Sequence, residues 1–135
     1  MRIMAIDYGD ARIGLAVSDS TSTICGEAWT IEEWDMDEAV RRIGNEARSR
    51  QVGRLVLGLP KNMDGSLGPR AQKSMEFAEK LRQATGLEVI LWDERRTTVD
   101  AHRILSECGK RRKKHKEKVD AVAAQLILEG YLGTL

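Results

Sequence analysis

This 135-residue chain has little of what zinc, imidazole or membrane chemistry requires. Cysteine is scarce: Cys25 and Cys108 stand alone, far apart and in no metal-ligand spacing. That excludes a zinc finger and leaves two free thiols. Histidine is equally scarce. His102 and His115 are the only imidazoles, so neither a Ser-His-Asp nor a Cys-His nucleophile can be assembled around a choice of bases. No apolar run approaches the ~20 residues of a membrane-spanning helix. The first residues lack a signal-peptide pattern, because Asp7 and the glycines after it interrupt any apolar stretch, and the expected location is the cytoplasm. Aromatic residues make up 4% of the chain, and Trp29, Trp34 and Trp92 are expected to pack rather than to stack on bases. Net charge is only +1, so bulk charge announces no partner. There is no internal repeat, low-complexity stretch or linker.

What is present describes one globular domain over residues 1–135. The chain is 41% hydrophobic and 32% charged, and a domain of this size buries roughly two-thirds of its unfolded surface. Residues 2–7 are apolar and unbroken, as in a central strand. Residues 11–18 alternate, with Ile13, Leu15 and Val17 on one face, and Tyr8-Gly9-Asp10 makes the hairpin turn between them. Residues 24–31 complete a three-strand meander. Asp35 then caps a helix, with Glu38 in a capping-box arrangement and Val40, Ile43 and Ala47 as its apolar stripe. Leu55–Leu57 is a short buried strand ending at Gly58. A loop at 60–69 leads to Pro69, which opens a second helix ending at Gly86. Residues 88–92 form another strand, Thr97 or Thr98 caps a third helix that stops at Gly109, and a last helix runs from about 117 to 132. Strands that follow helices must cross over and lie parallel to the first. The fold class is therefore α/β: a mixed five-stranded sheet, three strands in a hairpin meander and two parallel, with helices on both faces.

Three acidic positions at the ends of apolar segments carry the chemistry. Asp7 ends the first strand, Asp93-Glu94 ends the fifth, and Asp120 lies in the first turn of the last helix. Parallel strands bring the first two to the carboxyl edge of the sheet, where open α/β sheets place ligands. Gly58-Leu59-Pro60 leaves the sheet at the same edge. On the last helix Val119, Val122, Ala123, Leu126 and Ile127 mark the expected buried face, which sets Asp120 on its shoulder. Carboxylates sharing a pocket repel and keep protons unless a cation intervenes. Oxygen-only donors suit Mg²⁺ or Mn²⁺, and such ions can activate water for in-line attack at phosphorus. The pattern points to phosphodiester hydrolysis.

Charge is distributed to the same end. Between Lys110 and Lys118 the chain reads Lys-Arg-Arg-Lys-Lys-His-Lys-Glu-Lys. Arg111, Arg112, Lys113 and Lys114 are its expected phosphate contacts, against the alternative of a solvated loop. Arg12 beside Asp7, and Arg95 after the acid pair, either hold a phosphate or pair with an acid. His102 is expected to be structural.

Four segments, in order and at suitable spacing, resemble a known family. They are Ala5-Ile6-Asp7-Tyr8-Gly9 with Arg12-Ile13-Gly14; Gly58 to Ser66 with Gly68-Pro69-Arg70-Ala71; Asp93-Glu94-Arg95 with Thr97-Thr98; and the basic run leading to Asp120-Ala121-Val122-Ala123-Ala124, Ile127-Leu128 and Tyr131-Leu132. The family is the YqgF-type or RuvX family, named for Holliday junction resolution and pre-16S rRNA cleavage, within the ribonuclease H-like superfamily. The resemblance implies a ribonuclease H-like fold and divalent-metal catalysis, with Asp7, Glu94 and Asp120 as the matching acids and metal ligands and Asp93 in reserve. It implies maturation of the 5′ end of 16S rRNA, with junction cleavage as the alternative, and substrate contact by the loop carrying Asn62 and Arg70. Lys61, Arg96 and Glu129 depart from the usual residues without touching the acids.

Two rival readings stay open on sequence. Asp7-Tyr8-Gly9 with its hairpin also resembles the phosphate loop of actin-like kinases, which would make this a nucleotide-binding module. Alternatively the basic run binds RNA while the acids are idle. RNA and branched DNA are equally compatible with three carboxylates; junction cleavage would favour a two-fold homodimer, and rRNA trimming would not demand one.

Overall fold

The computed structural model describes residues 1–94 and 115–135, with side chains of the second segment from Ala121 onward. The expected helix between Thr97 and Gly109 lies outside the described residues, as do Arg95, Arg96, His102, Cys108 and the basic positions Arg111, Arg112, Lys113 and Lys114.

Five strands form one sheet in the order β3-β2-β1-β4-β5. β1 (Arg2–Tyr8), β2 (Arg12–Ser18) and β3 (Cys25–Glu32) are the antiparallel meander. β4 (Val52–Leu59) and β5 (Glu88–Asp93) run parallel to β1. Helix α1 (Met36–Ser49) leads into β4, α2 (Pro69–Thr85) leads into β5, and α3 (His115–Leu132) ends the fold. Among the described residues no helix is long and apolar enough to cross a membrane.

The two-residue period of the strands divides the core. Met4, Ile6, Ile13, Leu15, Val17, Leu55 and Leu57 face α1 and α2, with Phe77, Ala78 and Leu81 as the principal α2 contribution. Ile3, Ala5, Ala16, Val56 and Trp92 face α3, meeting Ala124, Ile127, Leu128, Tyr131 and Leu132. β1 and β4 are central and apolar on both faces, hence their unbroken hydrophobic runs. β4 is longer than the three apolar residues suggest. It begins at Val52 and continues through Gly58 to Leu59, because pairing to β1 on one side and β5 on the other supplies hydrogen bonds along its whole length.

Helix boundaries follow local chemistry. The Asp35 carboxylate accepts from the Glu38 amide at 3.1 Å and caps α1. The reciprocal half of the box is not formed: Glu38 pairs with Arg41 instead, and the Asp35 amide donates to Glu33. Pro69 opens α2, and Gly86 closes it in the left-handed region at φ 72°, donating to the Arg82 carbonyl. Two expectations are corrected. Trp34 is 75% exposed, whereas Trp92 is buried and Trp29 lies under the Arg50 guanidinium at 4.1 Å. On α3 the buried stripe is centred on Ala124, Ile127, Leu128 and Tyr131, with Val122 and Ala123 only half-buried. The stripe is rotated because Gly130 seats the Trp92 ring and Tyr131 meets that ring edge-on at 6.3 Å.

Candidate active site

The carboxyl ends of β1, β4 and β5 meet at one edge. Ile6 pairs with Leu57, and Gly58 pairs with Trp92. One further step of that register sets Asp7 beside Gly58. Alternation places Asp7 on the same face as Ile3 and Ala5, Gly58 on the face of Val56, and Glu94 on the face of Ile90 and Trp92. All three therefore point toward the layer of α3.

Glu94 folds back over the strand beside it. A Cβ at Gly58 would lie 2.5 Å from Oε1 of Glu94 and 2.7 Å from Cδ1 of Ile127. Only a residue without a side chain lets this carboxylate cross β4 and hydrogen-bond to Asp7. The structure thus brings two of the three expected acids into direct contact. The Asp7 carboxyl is shifted away from its ordinary range. Burial raises its pKa well above the usual carboxylate range, the hydrogen bond to Glu94 and that residue's negative charge raise it further, and the Arg70 guanidinium opposes them. A carboxyl whose pKa is raised by burial and by a second carboxyl in contact with it is the electrostatic signature of like charges lacking a counter-ion.

Asp120 belongs to the described backbone of α3, four residues before Ala124 and seven before Ile127. With the buried stripe centred as observed, that helical spacing puts position 120 on the stripe's midline rather than its shoulder. Its side chain lies outside the described residues. Among the described residues, no group of three His, Cys, Asp or Glu side chains is placed to hold a metal ion.

The cationic candidates divide. Arg70, in the first turn of α2, is exposed and close enough to act electrostatically on both Asp7 and Asp10. Lys73, which the sequence reading passed over, reaches Asp10 Oδ1 at 2.7 Å. The Lys73 hydrogen bond and charge hold the Asp10 carboxyl below its ordinary pKa. The signal was available: Lys73 follows Arg70 by three residues, on one helix face. Tyr8 stacks on Phe77 with ring centroids 4.1 Å apart, which fixes α2 against the end of β1. Arg12 stands opposite Glu32 across β2–β3 and lines a small pocket with Thr30, Ile31 and Glu32.

Asn62 serves its own loop. Its side-chain amide donates to Ser66 Oγ at 3.0 Å, its backbone exchanges hydrogen bonds with Ser66 and Gly65, and Asp64 accepts from the Ser66 amide and hydroxyl. The loop is internally tied at the site's edge, and one N–H of the Asn62 side chain is committed to that tie.

Comparison with known proteins identifies relatives along nearly the whole chain. A protein of Thermoanaerobacter pseudethanolicus named "Putative pre-16S rRNA nuclease" is 47% identical over 133 residues, covering 98% of this chain and 96% of the relative. One of the same name from Halothermothrix orenii is 44% identical over 132 residues, covering 98% and 94%. Among solved structures, Thermus thermophilus RuvC bound to a Holliday junction substrate superposes with a TM-score of 0.64 at 13% identity, over 99% of this chain and 97% of that one. That likeness shows the ribonuclease H-like fold. The family described as "RuvX: Holliday junction resolvase" matches residues 1–134, and the chain belongs to it.

Proposed function

We propose that this protein is a divalent-metal-dependent nuclease, one domain over residues 1–135, that hydrolyses phosphodiesters in the precursor of 16S rRNA in the cytoplasm. The observation that carries the reading is the Asp7–Glu94 carboxyl pair at the carboxyl edge of the sheet, held over Gly58. Membership of a nuclease family supports it, and so do the relatives named for pre-16S rRNA.

The residues fit a hard divalent cation. The donors are oxygens only, and a cation beside Asp7 would offset the burial and the Glu94 charge that raise its pKa. Asp7 and Glu94 would hold the ion, with Asp120 as the third ligand entering from α3. When bound, Mg²⁺ or Mn²⁺ supplies Lewis acidity and lowers the pKa of water beside the phosphorus. The chain's own groups do the rest. Glu94 is aimed by the bare backbone of Gly58. Arg70, whose charge reaches Asp7, borders the acids, and Lys73, one turn further along α2 and paired with Asp10, adds positive charge on the same helix for phosphate oxygens of the strand. The basic residues Arg111, Arg112, Lys113 and Lys114, with Arg95, extend that contact along the substrate backbone, and Arg12 borders it on the β2 side.

Holliday junction DNA is the second reading, favoured by the family's description and by the junction-bound structural neighbour. One experiment separates the two: cleavage of matched rRNA-precursor and four-way-junction substrates in Mg²⁺, in Mn²⁺ and in EDTA. The expected result is metal-dependent cleavage of the precursor that EDTA abolishes. Cleavage of the junction alone would transfer the assignment to branched DNA, and binding without cleavage of either would reject a nuclease.

A further inference from the structure

We infer that Gly58 is a positioning residue for catalysis: the missing side chain at this point of β4 is what lets the Glu94 carboxylate reach Asp7, so a methyl group here disables the site while leaving the fold in place. The inference rests on the reading of Asp7 and Glu94 given above, and goes beyond it by assigning the reaction's geometry to a residue that has no functional group.

The constraint at Gly58 is steric. Gly58 lies inside β4 with extended backbone and needs no special φ, so glycine is not there for a turn; φ is positive only at Gly65 and Gly86 among the described glycines. Glycine inside a strand weakens it, and a close approach is the usual reason for its presence. Here the approach is explicit, at 2.5 Å to Glu94 Oε1 and 2.7 Å to Ile127 Cδ1. No Cβ tolerates such distances. Both clashing atoms are the far ends of flexible side chains. The fold can therefore accommodate alanine by moving those ends, and the cost falls on where they point. For Ile127 that is a small repacking of a buried methyl. For Glu94 it is loss of the carboxylate's place beside Asp7. Misplacement by about 1 Å in a preorganised site costs on the order of 100-fold in rate. Gly58 touches neither ion nor substrate; it acts through Glu94.

The same interlock joins three elements. Glu94 follows β5, Gly58 is in β4, and Ile127 is on α3, two turns after Asp120. The bare Cα is thus also a point of contact between α3 and the sheet beside the acids.

The test uses the full chain as wild type, Gly58→Ala, Glu94→Asp, Glu94→Gln, Ile127→Val, and the doubles Gly58→Ala/Ile127→Val and Gly58→Ala/Glu94→Asp. Three quantities are read: melting temperature in EDTA, Mn²⁺ affinity by calorimetric titration, and kcat and KM for precursor cleavage. Gly58→Ala should keep a cooperative melt and a near-normal KM, lose about 100-fold in kcat, and bind Mn²⁺ roughly 10- to 100-fold more weakly. Ile127→Val deletes the second clashing atom. In the Gly58→Ala background it should restore melting temperature but restore neither kcat nor Mn²⁺ affinity. Gly58→Ala should add little to Glu94→Asp, since residues acting through one another are non-additive.

Recovery of kcat by Ile127→Val would overturn the inference, because the defect would then be packing against α3. So would a wild-type kcat in Gly58→Ala beside a dead Glu94→Gln, which would spare the role of Glu94 and remove that of Gly58. Full activity in Glu94→Gln would instead sink the underlying reading of the acids. If Gly58→Ala and its Ile127→Val double both fail to fold, Gly58 is a structural glycine and the inference is wrong.

Discussion

Replacing Asp7 with Asn should abolish cleavage yet stabilise the metal-free protein at neutral pH. The Asp7 pKa is raised in the folded state, first by burial, then by the hydrogen bond and charge of Glu94, with Arg70 offsetting part. An acid that binds its proton more tightly when folded makes stability fall as pH rises, from its unfolded value near 3.8 up through its folded pKa. The sign is opposite to that of a salt-bridged carboxylate. Above the folded pKa the full penalty is present, at about 1.4 kcal/mol for each unit of elevation. Asn keeps the shape and hydrogen-bonding capacity while removing the charge. For a domain of this size each kcal/mol moves the melting temperature by roughly 3–5 °C. Unfolding followed by circular dichroism in EDTA from pH 4 to 8 should show Asp7→Asn above wild type at pH 8, the gap closing toward pH 4. A saturating divalent cation should reverse the order, since a ligand at 100 times its Kd stabilises the form that binds it by about 2.7 kcal/mol. An Asp7→Asn protein less stable than wild type in EDTA at pH 8 would refute the reasoning.

Two other perturbations probe different parts of the molecule. Asp35→Ala removes the carboxylate that caps α1 and should lower stability by about 1 kcal/mol in urea unfolding, with cleavage intact because α1 lies on the opposite face of the sheet from the acid pair. Lys113→Ala with Lys114→Ala should weaken nucleic-acid binding and reduce the log–log salt slope by roughly 1–2, with melting temperature unchanged; an unaltered slope would leave the basic run as a solvated segment.

The fold was legible because its signals were local and agreed with one another. The alternation of Ile13, Leu15 and Val17, Asp35 at a helix start, Pro69 and Gly86 at the two ends of α2, and the apolar run before Asp7 each dictate a conformation from a few residues, and crossover rules then fix the parallel strands. What the sequence hid was mostly long-range. No periodicity told Trp34 from Trp92, since exposure depends on what packs above. The stripe of α3 was misaligned by one residue because its centre is set by where the Trp92 ring meets Gly130 and Tyr131. Position 120 consequently moved from the shoulder of that helix to its midline. Gly58 was read as the end of a strand, when it is an interior position whose emptiness is filled by Glu94. Asn62 was legible as a loop residue beside the site, while the bond from its side-chain amide to Ser66 Oγ within that loop was not. Asp7 and Glu94 were legible as strand-terminal charges at one sheet edge, while the contact between them needed the bare Cα of Gly58 on the strand that separates them.

The central claim is that Asp7, Glu94 and Asp120 converge on one cation, and Mn²⁺ titration of the full chain by calorimetry tests it most directly, on wild type beside Asp7→Asn, Glu94→Gln and Asp120→Asn. Binding to the wild type should be saturable and should weaken at least about tenfold in each variant, with all three melting cooperatively in EDTA. Unchanged Mn²⁺ affinity in Asp120→Asn would remove α3 from the site, and unchanged affinity in Asp7→Asn would contradict the account as a whole.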